Sequence, residues 1–388
     1  MSKKILLICD IDSVYVKRYT EHVLLPGGWE IVLFPIWDQS GKFDSWFESH
    51  GVTIYRDTHR LPVLRHIPRL RIKARVWANA RSLARLGPFD AIHNHYLSPR
   101  DLMLGLSIKR RYPNAPWVCS FWGSDLLRAA PAVLRKMEPL LLACDRITVI
   151  AEPNLERVRE EYGDRCAQIT TVCMFGVDVY DAIDRVRQTS SRMDCKVHFN
   201  LPPNQPLVSL GYNASSPHRH LELLQALGTL PQDVLKGWSI VLQMTYGNSD
   251  ESYFTAVRET AAQLPCKSLI LTEFMDNEES AYLRLAADAF VLAMPTDAFS
   301  SSLQEYLYAG AKVLCGDWLN YPQLDAMGFP PVRFQSISAF PALLQTELQT
   351  PVPQTEMQLR QHALRSRYAW SAVIKKWTAL YDTSPPLL

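Results

Sequence analysis

Short, uninterrupted apolar runs recur along the chain, and between them apolar positions return every three or four residues. The runs cover residues 4–10 (KILLICD), 29–35, 89–95, 117–120 and 145–150, and later 207–211, 269–275, 289–293 and 311–315. A continuous apolar run of this length, bounded by turn residues, is the pattern of a strand buried on both faces of a parallel sheet. The periodic segments between them, among them 14–25, 153–162, 218–227 and 303–309, read as the crossover helices such a sheet requires. Residues 179–206 are polar, end in LPPNQP and read as a linker. The pattern predicts an α/β chain of two doubly wound domains, 1–178 and 207–367. A last helix, 368–381, brings Trp370, Val373, Ile374, Trp377 and Leu380 onto one side, an aromatic stripe that belongs to a core.

One corner of this pattern carries candidate chemistry. Residues 297–317 read DAFSSSLQEYLYAGAKVLCGD: a strand enters, three serines turn, a helix leaves, Gly310 stops it and another strand follows. The free N–H groups at a helix N-terminus, here joined by the hydroxyls of Ser300, Ser301 and Ser302, favour an anion such as phosphate. Glu305 stands eight positions after Asp297, where its carboxylate can accept from sugar hydroxyls. A capped strand–helix corner with no ligand is the alternative at this point. The stretch resembles the donor-site motif of the retaining glycosyltransferases of family 4, which have the GT-B fold: two Rossmann-like domains facing across a cleft. That motif has two acids separated by seven residues, then a small-residue helix, glycine and a strand. Here the first acid is Asp297 where the family usually has Glu, and serine replaces the glycine of the turn.

Composition narrows the classes. The 388 residues suffice for two domains, and a net charge of +2 gives no reason to expect nucleic acid. The eight cysteines (Cys9, Cys119, Cys144, Cys166, Cys173, Cys195, Cys266 and Cys315) form no CxxC pair, so buried thiols are expected rather than disulfides or a zinc site. No apolar stretch approaches the ~20 residues that span a bilayer, and the run after Lys4 is too short for a signal peptide. A soluble, cytoplasmic chain is expected. Residues 56–85 are the one charge asymmetry: Arg56, Arg60, Arg65, Arg69, Arg71, Lys73, Arg75, Arg81 and Arg85 against the single acid Asp57. With Leu70, Ile72, Val76, Trp77, Leu83 and Leu86 on its apolar side, the helix expected here suits an anionic membrane surface or a lipid-linked diphosphate. A solvated helix facing acidic neighbours is the plainer reading.

In the first half, Asp12 follows the first strand and reads as a helix cap or an acceptor-side base. The strand at 89–95 ends in His93 and His95, one expected in a pocket and the other in the core. The 117–120 strand runs into FWGSDL, where Asp125 either caps the next helix or binds an acceptor hydroxyl. These pieces resemble the D-x-x-H-x-H and H-G-x-D segments of family 4, with Trp122 where many members have His. The WGxDL form is similar to the bacterial family that transfers 4-acetamido-4,6-dideoxygalactose (Fuc4NAc) to a lipid-linked saccharide. Gly176-Val177-Asp178 matches the GVD at the family's domain junction.

In the second half, Gly211 opens a small-residue turn with Asn213 and Ser215. Family 4 commonly places an Arg and a Lys there for the donor diphosphate; here Tyr212 takes the arginine's place and Arg219 is left as the cation. Tyr246, after the strand ending at Gln243, again resembles the Fuc4NAc-transferase family, and Phe274 stands where the nucleotide base is usually met.

Taken in order, the resemblance implies a metal-independent glycosyltransferase that needs no cofactor. Its donor would be a nucleotide-diphosphate sugar and its acceptor a lipid-linked saccharide or oligosaccharide of the cell envelope, met at the inner face of the cytoplasmic membrane. In this scheme Asp297 holds the donor sugar, Glu305 the ribose, and His95 and Trp122 lie on the acceptor side, with residues 368–388 packing back on the first domain. The acid pair points to retention, while the Trp122 and Tyr246 neighbourhoods resemble an inverting family. A nucleotide-sugar epimerase and a non-catalytic glycan- or lipid-binding protein remain as readings of other classes.

Overall fold

The computed structural model describes residues 2–37, 40–57, 68–247 and 250–382. The chain divides into two compact units. The first runs to Gly176 and takes in the chain again from Val373; the second is Val177–Ala372.

The first unit holds a seven-stranded parallel sheet: β1 (Lys4–Cys9), β2 (Glu30–Pro35), β3 (Thr53–Ile54), β4 (Ala91–His95), β5 (Trp117–Ser120), β6 (Arg146–Val149) and β7 (Thr170–Val172), in the order β3-β2-β1-β4-β5-β6-β7. Neighbours β1 and β4 pair in register from Ile5 with Ala91 to Ile8 with Asn94. Every residue of β1 after Lys4 is buried, which is why the strand reads as an unbroken apolar run. Leu6, Ile8, Ile92, Trp117 and Ile147 build one core.

The second unit holds six parallel strands: β8 (Leu207–Leu210), β9 (Ser239–Gln243), β10 (Lys267–Leu271), β11 (Ala289–Leu292), β12 (Lys312–Gly316) and β13 (Val332–Phe334), ordered β10-β9-β8-β11-β12-β13. Both sheets reverse their winding once, between β1 and β4 and between β8 and β11. The crevice beyond the strand ends at such a reversal is where ligands of open α/β sheets bind.

Two local expectations change. Residues 179–206 are not a bare linker: they form helices Val179–Thr189 and Arg192–His198, within the second unit. Polar as that stretch is, the first helix buries Val179, Tyr180, Ala182, Ile183 and Val186 along one face. The last helix, Trp370–Ala379, falls within the expected 368–381 and follows a separate helix Gln354–Tyr368, with Val373, Trp377 and Leu380 buried as a core stripe. The basic helix spans Pro68–Leu83; Arg60 and Arg65 lie outside the described residues, as does the side chain of Arg69. Its apolar positions divide, with Leu83 buried but Leu70, Ile72 and Trp77 exposed. All eight cysteines are free and buried. No helix among the described residues is long and apolar enough to cross a membrane.

Candidate functional site

The second unit's reversal brings two strand-to-helix corners side by side. Gly211, at φ +66°, turns the chain off β8, and its N–H still donates to Val291 of β11 at 3.0 Å. A side chain there would press on His218 and His220, whose ring nitrogens would lie 3.0 and 2.8 Å from the added carbon. Beyond it, Asn213 Oδ1 accepts from Ser215 N at 2.8 Å, a local turn that such side chains favour, and Ala214 N donates to Tyr246 O of the neighbouring loop at 2.7 Å.

Asp297 joins the two corners. Its Oδ2 accepts from Ser300 N at 3.0 Å and from the Tyr321 hydroxyl at 2.9 Å, and its Oδ1 from the Tyr212 hydroxyl at 3.2 Å. Three donors from three loops therefore meet on one carboxylate, and burial still raises its pKa above the ordinary value. Of the backbone N–H groups expected around Ser300 and Ser301 for a phosphate, that of Ser300 donates to Asp297. Phe299, in the left-handed region at φ +65°, is held there by packing 5.3 Å from Tyr368 and 6.1 Å from Tyr321. Such a non-glycine conformation costs on the order of 1–3 kcal/mol and persists only where its surroundings enforce it.

Behind the helix Ser301–Ala309 stands a residue that sequence reasoning missed. Arg284, on helix Asn277–Ala286, is buried to 2 % exposure. Its Nε donates to Glu305 Oε2 at 3.0 Å, its Nη1 to Gln243 Oε1 at 2.8 Å and to the Tyr306 hydroxyl at 3.0 Å, and its Nη2 to Ser302 Oγ at 3.4 Å. Burial alone would lower the arginine's pKa, but Tyr306 and Glu305 outweigh it and the net shift is upward. Glu305 is thus pinned by one oxygen and oriented by its partner, and the Ser302 hydroxyl faces Arg284 rather than open solvent. Nothing in the sequence marks Arg284: a lone arginine in NEESAYLRLA reads as solvated.

Arg219, also left-handed at φ +57°, lies over the Trp318 ring at 5.6 Å. It has no acidic partner among the described residues, so its charge is uncompensated at this corner. The Trp318 indole N–H donates to Met294 O at 2.7 Å, which fixes the ring beside the β11 exit. Tyr246 and Phe274 are exposed after β9 and β10. Among the described residues Thr296 Oγ1 and His220 Nε2 are buried without a partner, and burial pulls the His220 pKa down to about 4.

In the first unit the expected residues have other company. Asp12 takes the N–H of Ser40 at 2.6 Å and of Lys42 at 3.1 Å, while Ser13 caps the following helix through Tyr15 N. Asp125 is buried and accepts from Leu97 N at 2.7 Å and Trp122 N at 2.8 Å, fastening the exits of β4 and β5; burial pushes its pKa up to about 6 against those donors. His93 is a satisfied core histidine, bonded to Tyr381 and Ser120 at 2.5 and 2.6 Å. His95 is 1 % exposed and accepts the Trp122 indole N–H on Nδ1 at 3.2 Å, so its proton sits on Nε2. Burial holds its pKa near 3, and Tyr19, Phe175, Trp377 and Trp122 ring it at 5.0–6.1 Å. Among the described residues no group of three or more His, Cys, Asp or Glu is placed to hold a metal ion.

No family model matches the sequence, and no curated protein matches it either. Solved structures do match over nearly the full length. A glycosyltransferase from Rickettsia africae superposes with a TM-score of 0.74 at 15% identity, covering 98% of both chains. Anabaena HepE in complex with UDP and glucose gives 0.71 at 14%, over 97% of this chain and 98% of that one. Sucrose-phosphate synthase from Thermosynechococcus elongatus gives 0.71 at 17%, over 98% of both. These likenesses establish the GT-B fold.

Proposed function

We propose that this chain is a glycosyltransferase that takes its donor, a nucleotide-diphosphate sugar, at the β8/β11 corner of the second unit. The observation that carries the reading is the pair of corners tied by Asp297, with Glu305 hydrogen-bonded to the buried Arg284 behind them. A buried carboxylate held at a fixed angle is suited to ribose hydroxyls. Arg219 and the first-turn amides of the Ser301–Ala309 helix supply positive potential for the departing diphosphate, an electrostatic role that needs no metal. The fold neighbours include HepE structures with UDP and with UDP-glucose, which supports the same donor class.

The acceptor in this reading is a lipid-linked saccharide of the cell envelope, met at the cytoplasmic membrane face. The exposed Leu70 and Trp77, with the Arg81 guanidinium 5.8 Å above the Trp77 ring, give the first unit an amphipathic edge for that surface. Retention of configuration is favoured. An inverting route needs a base, and its candidates are occupied: Asp12 and Asp125 have both oxygens on backbone N–H groups, and His95 is buried and weakly basic. In the retaining route the departing diphosphate takes the acceptor's proton.

The reading is tested by incubating the protein with a panel of UDP-, GDP- and dTDP-sugars and bacterial lipid extract. Mass spectrometry should find a lipid gaining one glycosyl residue, lost in Asp297→Asn. Donor conversion without acceptor would favour the epimerase instead, and no conversion with any donor would sink the transferase.

A further inference from the structure

We infer that the first unit carries a binding site for a diphosphate ester with an apolar body, in a cavity separate from the His95–Trp122 cluster. The cavity, of about 690 Å³, opens at the carboxyl ends of β2 and β3 under the inner face of the Pro68–Leu83 helix, in the size range of small-molecule sites. Its basic lining is Arg56, Arg71, Arg75 and Arg100, with Asp57 and Asp101 as its acids among the described residues and Arg56 paired with Asp44. The two acids are already answered within the wall. Asp57 takes Arg75 Nη2 at 2.5 Å and Asn79 Nδ2 at 3.1 Å, and Asp101 takes Arg100 Nε at 2.8 Å.

With Asp44, Asp57 and Asp101 set against the four arginines, an excess of one positive charge faces the space. Arg71 has no partner among the described residues, and Arg75 keeps Nη1 free of the ion pair it makes through Nε and Nη2. Planar guanidinium forks match phosphate oxygens. The rest of the wall is apolar and aromatic, with Phe34 stacked on Tyr55 at 5.6 Å. A free phosphate would leave that surface wetted; an ester with a hydrocarbon body would cover it. The helix that lines the cavity also carries the exposed Leu70 and Trp77, so a ligand drawn from a membrane would enter beside its own solvent. Resting on the transferase reading, the site is assigned to the diphosphate of a lipid-linked acceptor.

Isothermal titration of the whole protein tests this, using farnesyl diphosphate below its micellar concentration, with farnesol, pyrophosphate and glucose 6-phosphate in parallel. Farnesyl diphosphate should bind at least tenfold more tightly than each of the other three, and more weakly as salt rises. Arg71→Glu, at a surface position, should weaken it at least tenfold, and Ile72→Glu should do the same by placing a carboxylate at the rim. UDP affinity, read in the same samples, should be unchanged. Equal binding of glucose 6-phosphate would overturn the lipid assignment in favour of a sugar phosphate. Farnesyl diphosphate binding indifferent to both variants would overturn the site. UDP binding without farnesyl diphosphate binding would overturn the site and leave the transferase standing; the converse would keep the site and remove its role as an acceptor pocket.

Discussion

The first sheet meets its reversal with His93 and His95 walled in by rings, while the second meets its own with Arg284 and Glu305 paired at 3.0 Å. Both corners are fastened by an aspartate, Asp125 in one and Asp297 in the other, each taking hydrogen bonds from neighbouring loops. The fasteners do the same mechanical work. What differs is the charge stored beside them. The first corner has shed it, with neutral imidazoles packed against tyrosine and tryptophan; the second has kept a buried ion pair and an uncompensated Arg219. Burying an ion pair rarely gains stability over an apolar packing of the same shape, so its presence calls for another reason. Holding a carboxylate at a fixed angle is such a reason.

Breaking the ion pair should produce the largest effect. Arg284→Met leaves the Glu305 carboxylate buried and alone, and is expected to cost about 3–5 kcal/mol in urea unfolding. The double change Arg284→Met with Glu305→Leu should recover most of it while donor turnover stays lost. Equal loss in single and double variants would mean that the pair is mere packing.

The first corner is sharpened by pH. Because the folded pKa of Asp125 lies near 6 against an ordinary 3.8, the folded state holds its proton longer than the unfolded chain. Its contribution to stability is therefore greatest below pH 4 and falls as pH rises through 6, by about 3 kcal/mol at 1.36 kcal/mol per unit. Asp125→Asn should flatten that part of the stability profile, measured by denaturant melts from pH 4 to 7. An unchanged slope would place the titration elsewhere. Smaller still is Tyr212→Phe, which removes one of three donors to Asp297 and should cost about 1 kcal/mol. It should also weaken donor binding by loosening the tie between the two corners. Full donor affinity in that variant would break the link between corner and ligand.

The frame was legible because parallel strands buried on both faces are written as unbroken apolar runs, as at β1, β8 and β11. Gly211 announced its corner, since few other residues turn left-handed there at no cost. The acids Asp297 and Glu305 could be found by spacing, but not what they touch. Asp297 engages Tyr212, 85 positions away, and Glu305 engages Arg284, 21 positions before it, pairings only the folded sheet creates. The cap on the first helix proved to be Ser13 rather than Asp12, a one-residue choice between equally good capping types. Residues 179–206 looked like a linker because their apolar face is diluted by charge. Strand β13 went unread because three residues carry too little pattern.

Titration of nucleoside diphosphates into the wild-type protein and Glu305→Gln asks the central question directly. Glu305→Gln keeps the shape and removes the charge that Arg284 orients. At least one of UDP, GDP or dTDP should bind the wild type, and Glu305→Gln should weaken it by tenfold or more. If none binds, or if the variant binds as tightly as the parent, the second unit's charged corner is not a nucleotide site.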